Sequence, residues 1–473
     1  MRRYTPTARA LVVAGTTAWI AGFAALSVLR NAAFATGRFD LGNMVQAVWS
    51  TAHGRPLRIT DLNGDQISRL AAHVDPILAV FAPLWWIWPS ADMLLVAQAI
   101  AVGGGGVPVF WLARKHLGSG RAGCGFALVY LLYPATGWLT LNEFHPVALA
   151  TPLLLYAFWF LDEDRLVAFA LCAVAASLCK EEISFVVAGF GIWYAVARRR
   201  WWTGAAILAV GVAWAAFATV VVIPHFNHGQ SSDFYARYSA VGGSPSGIVK
   251  TAFEHPGRLA RAAFTRRDLH YVLQLTWPLA FISVLAPLVL IAALPELAIN
   301  LLSAVPTQTS IHFHYTAGLI APLIAAAILG ARRLGRPLLV ATAAVVVALA
   351  GNYRLGPFPA WQHVPGGQRF QATAAHVTPH DRIAARAVRL IPRNAVVAAT
   401  NSLGAHLSAR TRFLSFPFLE DATWIAADET QPGYGDRFAP MLTAENLVWL
   451  RTNPEWKLVF EDDGVLVFRR VSA

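Results

Sequence analysis

Asp40, His53, His73, Asp75, Glu143, His145, the run Lys180-Glu181-Glu182, and His312 with His314 are the residues of this 473-residue chain whose types could do chemistry. Carboxylates and imidazoles pass protons near neutral pH, and a lysine among them can hold developing negative charge. Tyr315 follows His314 directly in "HFHY". They are scattered along the chain, so they form a site only if the segments between them bring them to one place.

Those segments are apolar. Hydrophobic residues make up 56% of the chain, and several runs approach the length needed to cross hydrocarbon, so the sequence reads as a polytopic membrane protein. The 38 Lys and Arg against 26 Asp and Glu give a formal charge of +12, which in a soluble protein would suggest nucleic acid. Here the excess sits in short basic loops such as Arg198-Arg199-Arg200 and Arg332-Arg333, as the positive-inside rule expects, and no nucleic-acid partner is expected. Cys124, Cys172 and Cys179 fall in apolar runs without zinc-ligand spacing and read as small core residues. "MRRYTPTAR" before the apolar stretch 10–29 imitates a signal peptide, but the run is long enough to span and lacks a clean cleavage motif. It reads as a retained first helix with a cytoplasmic N-terminus, in a multi-pass protein of the cytoplasmic (inner) membrane.

Hydropathy and basic loops predict about eleven spans over residues 1–351. The first runs outward near 9–29 and delivers an outer loop, 30–75. Residues 76–88 are too short to cross alone and, with Trp85, Trp86 and Trp88, suit a helix lying at the interface. Spans follow near 91–113, 122–140 and 145–161. The runs 166–179 and 183–197 are minimal spans or two half-helices meeting around Lys180-Glu181-Glu182. Residues 201–223 lead to a polar outer loop, 224–270, whose Asp233, Tyr235 and Tyr238 suit carbohydrate and a plain surface loop equally. The block 271–304 is long enough for two crossings if it folds back around Pro287 or Pro295, and spans 315–330 and 337–350 complete the bundle. Gly103 to Gly106 suggest close helix packing rather than a phosphate loop. From 352 to 473 the pattern changes: "AVVAAT" and "WKLVFEDDGVLVFRR" read as strands turning at Asp462-Asp463-Gly464, "TAENLVWLRT" as a helix, together an extracytoplasmic α/β domain.

On this topology all the chemical residues land on one side, with the Lys180 trio joining them if its two short runs meet at that level. Near the bilayer centre each charge would cost about 2.5 to 3.5 kcal/mol, so the trio requires a wet cavity or the interface. Each residue also has a structural explanation. Asp40 fits an N-cap for the amphipathic stripe Leu41, Met44, Val45, Val48 and Trp49, which Gly54 ends. Asp75 before Pro76 fits an N-cap with proline at N1, His145 before Pro146 a helix-start residue, and Lys180 an ion pair with Glu181 or Glu182.

The order "FDLGNMVQAVW", "HVDPILAVFAPLWWIWPS", "NEFHPVALATPLLLYAFWFL", "CKEEISF", "ALPELAINLLS" and "HFHY" resembles the bacterial membrane proteins grouped as domain of unknown function 2079, over nearly the whole chain. That family is similar in layout to the C-type glycosyltransferase superfamily: an acidic residue in the first outer loop, a short helix along the membrane before the second span, and a soluble outer domain at the C-terminus. The resemblance implies a membrane enzyme of hexosyl or pentosyl transfer, with a polyprenyl-phosphate-linked sugar as donor and a catalytic carboxylate at Asp40. The superfamily commonly has two adjacent acidic residues, whereas Phe39-Asp40-Leu41 has one. A divalent cation is thus the one cofactor left open, since one carboxylate with scattered histidines makes a poor site for magnesium or manganese.

Such a transfer needs a base for the acceptor and positive charge for the departing phosphate. Asp40 is the expected base, with Glu143 and Glu181 or Glu182 as other candidates. Lys180, His312 and His314 are expected on the phosphate, and His53, His73, Asp75, His145, Glu182 and Tyr315 complete the substrate-binding set. The helix at 76–88 would wall a groove for membrane lipid, while the acceptor, a glycan, lipid or protein, is not encoded in any motif. A secondary transporter is the rival class, although it usually shows paired repeats, which are missing here. A non-catalytic envelope scaffold is the other.

Overall fold

The computed structural model describes residues 6–369, 376–433, 435–438 and 440–471. The first five residues, which carry the basic start of the chain, lie outside these.

The chain is a polytopic helical bundle. Among the described residues, five helices are long and apolar enough to cross a membrane: Thr7–Ala32, Ala91–Leu117, Trp201–Phe226, His314–Leu334 and Pro337–Leu355. The pair Gly120–Leu132 and Pro134–Leu141 meets the same length and apolarity together, with a bend of 48° between its halves. The bend falls where Tyr133, extended at φ −62°, ψ 122°, precedes Pro134, as the steric demand of proline on its predecessor requires. Five shorter apolar helices complete the set: Pro76–Ile87, Pro146–Asp162, Leu166–Ser177, Ile183–Arg198 and Pro287–Leu301. Large apolar side chains on the outer helices point away from the protein, Val210 being 69% and Val220 70% exposed. A soluble helix would bury such residues; hydrocarbon accepts them.

Ile183–Arg198 and Trp201–Phe226 form a tight hairpin around Arg199, held in the left-handed region at φ 55°. A Cβ on Gly191 would sit 2.6 Å from the Gly204 carbonyl oxygen, so bare backbone is what lets the two helices close. The block 271–304 departs from expectation. Instead of two uninterrupted helices it is a string of short helical pieces, broken at Pro278 and Pro287 and at Ala280 and Phe281, both at positive φ. Proline and left-handed residues interrupt the hydrogen-bond ladder more often than a hydropathy count registers.

Two β structures frame the site. A hairpin in the first loop pairs β1 (Arg58–Thr60) with β2 (Gln66–Ser68). The C-terminal region carries a five-stranded sheet of β3 (Val397–Ala399), β4 (Phe413–Ser415), β5 (Trp424–Asp428), β6 (Trp456–Asp462) and β7 (Val465–Arg470) in the order β4-β3-β5-β7-β6. β3 runs parallel to β4 and β5, and β7 antiparallel to β5 and β6. Asp463 and Gly464, at φ 47° and 77°, make the β6–β7 turn that the sequence predicts.

This sheet region is knitted to the first loop by buried polar groups. Arg38, 2% exposed, donates from Nη2 to the carbonyls of Thr60 at 2.7 Å, Asp61 at 3.1 Å and Phe413 at 3.3 Å. Gln46 Nε2 donates to Thr60 Oγ1 and to the carbonyls of Arg410 and Thr411. Close backbone approach does the rest: a Cβ on Gly42 would lie 2.6 Å from Ser408 Oγ, and one on Gly404 would run into Arg38.

Candidate active site

Asp40 is not the helix cap that its spacing suggests. The Asn43–Ala52 helix starts from Gly42, and Asp40 sits inside a π-helical turn, Arg38–Gly42, that feeds it. The wide turn leaves backbone N–H groups to be satisfied from outside. Glu143 supplies two partners, its Oε2 accepting from Leu41 N at 2.8 Å and from Gly37 N at 3.1 Å. Asn401 supplies the third from the C-terminal region, with Oδ1 accepting from Phe39 N at 3.1 Å. The segment carrying Asp40 is therefore gripped by both parts of the molecule.

The turn that presents Glu143 is itself fixed. Gln98, fully buried in the Ala91–Leu117 helix, donates to the carbonyls of Thr140 at 3.0 Å and Glu143 and accepts from His145 N at 2.9 Å. His145 Nδ1 meets the Asn142 carbonyl at 2.7 Å and must donate to it. Its Nε2 lies 3.3 Å from Asp40 Oδ1, within ion-pair range but without an aligned hydrogen bond. Neutral His145 thus faces Asp40 with a lone pair, and protonated His145 with an N–H.

His145 stacks on His314, ring centroids 3.8 Å apart, and His314 N donates to Asn142 Oδ1 at 3.1 Å. Around them Asp40, Arg69, His73, Asp75, Lys180 and Arg237 line a cavity of about 100 Å³, with Phe234 and Tyr315 as its aromatic members. Most charges in it are paired. Arg69 bonds Asp75 Oδ2 at 2.9 Å, His73 Nδ1 meets Glu181 Oε1 at 2.9 Å, and Lys180 pairs with Glu182. Arg237 differs: its guanidinium lies 4.8 Å from the Phe234 ring centroid and 3.5 Å from the Tyr315 hydroxyl, and no carboxylate partners it among the described residues.

This electrostatic frame sets protonation. The cavity walls desolvate Asp40 and push its carboxyl up, but the charges of His145 and Arg69 outweigh that and hold it below the ordinary value. Glu143 goes the other way. Burial, then the Asp40 charge, raise its carboxyl to about 8 against the pull of the Leu41 and Gly37 amides and Arg30. Burial also lifts Asp75 to about 6 despite Arg69, and its Oδ1 accepts no hydrogen bond. The frame thus pushes two neighbouring carboxyls in opposite directions, Asp40 down and Glu143 up.

The structure brings together Asp40, His73, Asp75, His145, Lys180, His314 and Tyr315, with Glu181 and Glu182 as ion-pair partners of His73 and Lys180 and Glu143 holding the backbone on either side of Asp40. Asp75 precedes Pro76 at a helix start as expected, yet its carboxylate makes no cap and serves Arg69 instead. Two expected members lie elsewhere. His53 ends the Asn43–Ala52 helix, bonded to Trp49 O at 2.7 Å, and lines a separate cleft with Trp85 and Arg393. His312 packs edge-on against Trp138 at 4.6 Å and does not line the cavity. Arg69, Arg237, Gln98 and Asn401 carry no signal at sequence level. A divalent cation does not suit this donor set: Asp75 is taken by Arg69, and among the described residues no three His, Cys, Asp or Glu groups gather around a common point.

With this geometry in place, comparison with known proteins identifies the chain. Residues 30–467 match the family described as predicted membrane protein (DUF2079). The chain belongs to the DUF2079 family. No curated protein matches it. The crystal structure of ArnT from Cupriavidus metallidurans bound to undecaprenyl phosphate resembles this DUF2079 protein with a TM-score of 0.50 at 13% identity, over 97% of this chain and 99% of ArnT. Apo ArnT from the same organism gives 0.48 at 13% identity, over 96% and 98%. The likeness to the undecaprenyl phosphate complex is one of fold. It agrees with the C-type glycosyltransferase bundle that the order of motifs implies.

Proposed function

We propose that this DUF2079 protein transfers a sugar from a polyprenyl-phosphate donor to a hydroxyl acceptor at the Asp40 cavity, which opens on the extracytoplasmic side of the inner membrane. The observation that carries this reading is the joint presence of an ionised carboxylate and a guanidinium without a carboxylate partner, Asp40 and Arg237, in one cavity. As the acceptor oxygen attacks the anomeric carbon, its proton passes to Asp40. The bond from that carbon to the phosphate oxygen breaks, and the electron pair leaves with polyprenyl phosphate, whose charge Arg237 and Lys180 stabilise. His145 keeps Asp40 ionised, and Glu143 and Asn401 hold the turn that aims it.

The donor's chain also has a place. An apolar groove of about 390 Å³ runs between the Pro76–Ile87 helix and the Pro146–Asp162 helix, lined by Ile77, Val80, Phe81, Leu149 and Leu153. The segments that begin these helices reach the cavity through Asp75, Pro146 and Val147. Such a groove suits an isoprenoid tail lying against the membrane while its phosphate enters the cavity. ArnT, with the same fold, has been crystallised with undecaprenyl phosphate.

The test is transfer of radiolabelled sugar from a panel of polyprenyl-phosphate donors in membranes holding wild-type or Asp40→Asn protein, with and without chelator. Transfer by the wild type that disappears in the variant and survives chelation supports the reading. No transfer from any donor by folded wild-type protein overturns it.

A further inference from the structure

The opposite end of the bundle holds a second cluster that the proposed transfer does not use. Lys115, His116, Asp162, Arg198, Arg332 and Arg333 line a cleft of about 620 Å³. Its remaining walls are apolar and include Trp193, Leu288, Val289 and Leu329.

Two helices place this cleft relative to the Asp40 cavity. His314 lines the cavity at one end of the His314–Leu334 span, and Arg332 lines the cleft at the other. At 1.5 Å per residue the separation is about 27 Å, close to the roughly 30 Å of a hydrocarbon core. The Pro146–Asp162 helix repeats the relation, with Pro146 in the cavity and Asp162 in the cleft. The cleft therefore lies level with the headgroups of the other leaflet.

Its charges do not cancel. The Asp162 carboxylate is shared by Lys115 at 2.7 Å, His116 Nε2 at 2.9 Å and Arg198 at 2.9 Å, and Lys115 also reaches Glu163 at 2.5 Å. Because Asp162 takes the Nε2–H, Nδ1 of His116 is an acceptor, and it faces Arg332 Nη1 at 3.4 Å. Arg333 donates to the Leu285 carbonyl. Neither Arg332 nor Arg333 has a carboxylate partner among the described residues. The positive-inside rule accounts for basic residues at a membrane face, but not for two uncompensated guanidinium groups turned into one apolar-walled cleft.

We infer that this cleft binds the phosphate headgroup of an anionic membrane lipid from the leaflet opposite the Asp40 cavity. The paired guanidinium groups suit the phosphate oxygens, and the wall of Trp193, Leu288, Val289 and Leu329 suits the glycerol and the start of the acyl chains. That apolar wall is what favours a lipid over free phosphate, which has nothing to place against it.

The full-length protein would be purified in a zwitterionic detergent and offered equimolar phosphatidylglycerol and phosphatidylcholine, and the lipid retained would be read by native mass spectrometry. The expected result is at least a tenfold preference for phosphatidylglycerol in the wild type, falling to twofold or less in Arg332→Gln/Arg333→Gln with an unchanged melting temperature. Arg332→Lys/Arg333→Lys keeps the charge, and should keep most of the preference if the first variant is poorly folded. Equal preference in the wild type and the Gln variant overturns the inference, as does no preference in the wild type. Displacement of the lipid by millimolar inorganic phosphate, as effectively as by soluble glycerophosphoglycerol, would assign the site to free phosphate and overturn the lipid source.

Discussion

At the His314 end of its span the protein keeps a cavity of about 100 Å³ in which Arg69, His73 and Lys180 each face a carboxylate; at the Arg333 end it keeps a cleft about six times larger in which Lys115, His116 and Arg198 share Asp162 while Arg332 and Arg333 face no carboxylate among the described residues. The difference separates two tasks. Near balance in a tight space biases protonation states, because most charges there have a partner of opposite sign within ion-pair range. A cationic surplus in a wide cleft holds an anion without preparing it for reaction.

If the two ends are separate in this way, substitutions should divide between them. The largest effect belongs to Asp40→Asn: loss of the base lowers sugar transfer by about 10²- to 10⁴-fold with the protein still folded, read by the radiolabel assay. Next is Arg237→Gln. Loss of a charged partner for the leaving phosphate, about 1.5 to 3 kcal/mol, should lower transfer roughly 10- to 100-fold while leaving lipid retention at the far cleft unchanged. Asn401→Ala removes one neutral hydrogen bond of about 1 kcal/mol, so a several-fold fall in kcat is expected, without change in the overall fold by circular dichroism.

Glu143 sharpens the contrast through pH. Its carboxyl is raised from 4.5 to about 8 on folding, so the native state holds the extra proton between those values and stability falls as pH rises through that window, by at most about 1.4 kcal/mol per pH unit. Above about pH 8 this contribution is flat. Glu143→Gln should remove that slope from a series of melting temperatures between pH 5 and 9, and an unchanged slope would assign it to another group. The smallest effect on transfer is expected from Arg332→Gln/Arg333→Gln, within twofold of wild type. A loss as deep as that of Asp40→Asn would erase the division between the ends.

Much of the cavity end could be read from residue types beside helix termini, because a carboxylate or imidazole next to a long apolar run has few places to go. Asp40, Asp75, His145 and Lys180 were legible for that reason. What stayed hidden depends on distance along the chain or on geometry inside a turn. Asn401 bonds a residue 362 positions away, and Gln98 reads as one polar residue in a span until its three carbonyl partners and one amide partner are seen. Arg237 lies in a loop where the neighbouring tyrosines looked more informative. His53 follows Asp40 by 13 residues, but a helical path carries it about 20 Å away. Spans made of one uninterrupted run were placed within a few residues. Residues 271–304 were not, since hydropathy is blind to the left-handed pair Ala280 and Phe281.

The hydrogen bond from Phe39 to Asn401 also sets a timetable. The turn bearing Asp40 leaves the ribosome early, whereas the residue that completes its grip is synthesised 362 positions later. At about 5 to 20 residues per second that is a wait of roughly 20 to 70 s. During that interval Glu143 holds the turn from one side only, while Phe39 N, Arg38 and Gln46 still lack partners among residues 401–413. A chain halted before residue 401 would thus hold its early helices with the Asp40 turn gripped from one side only, so the cavity would be completed at the close of synthesis rather than at insertion.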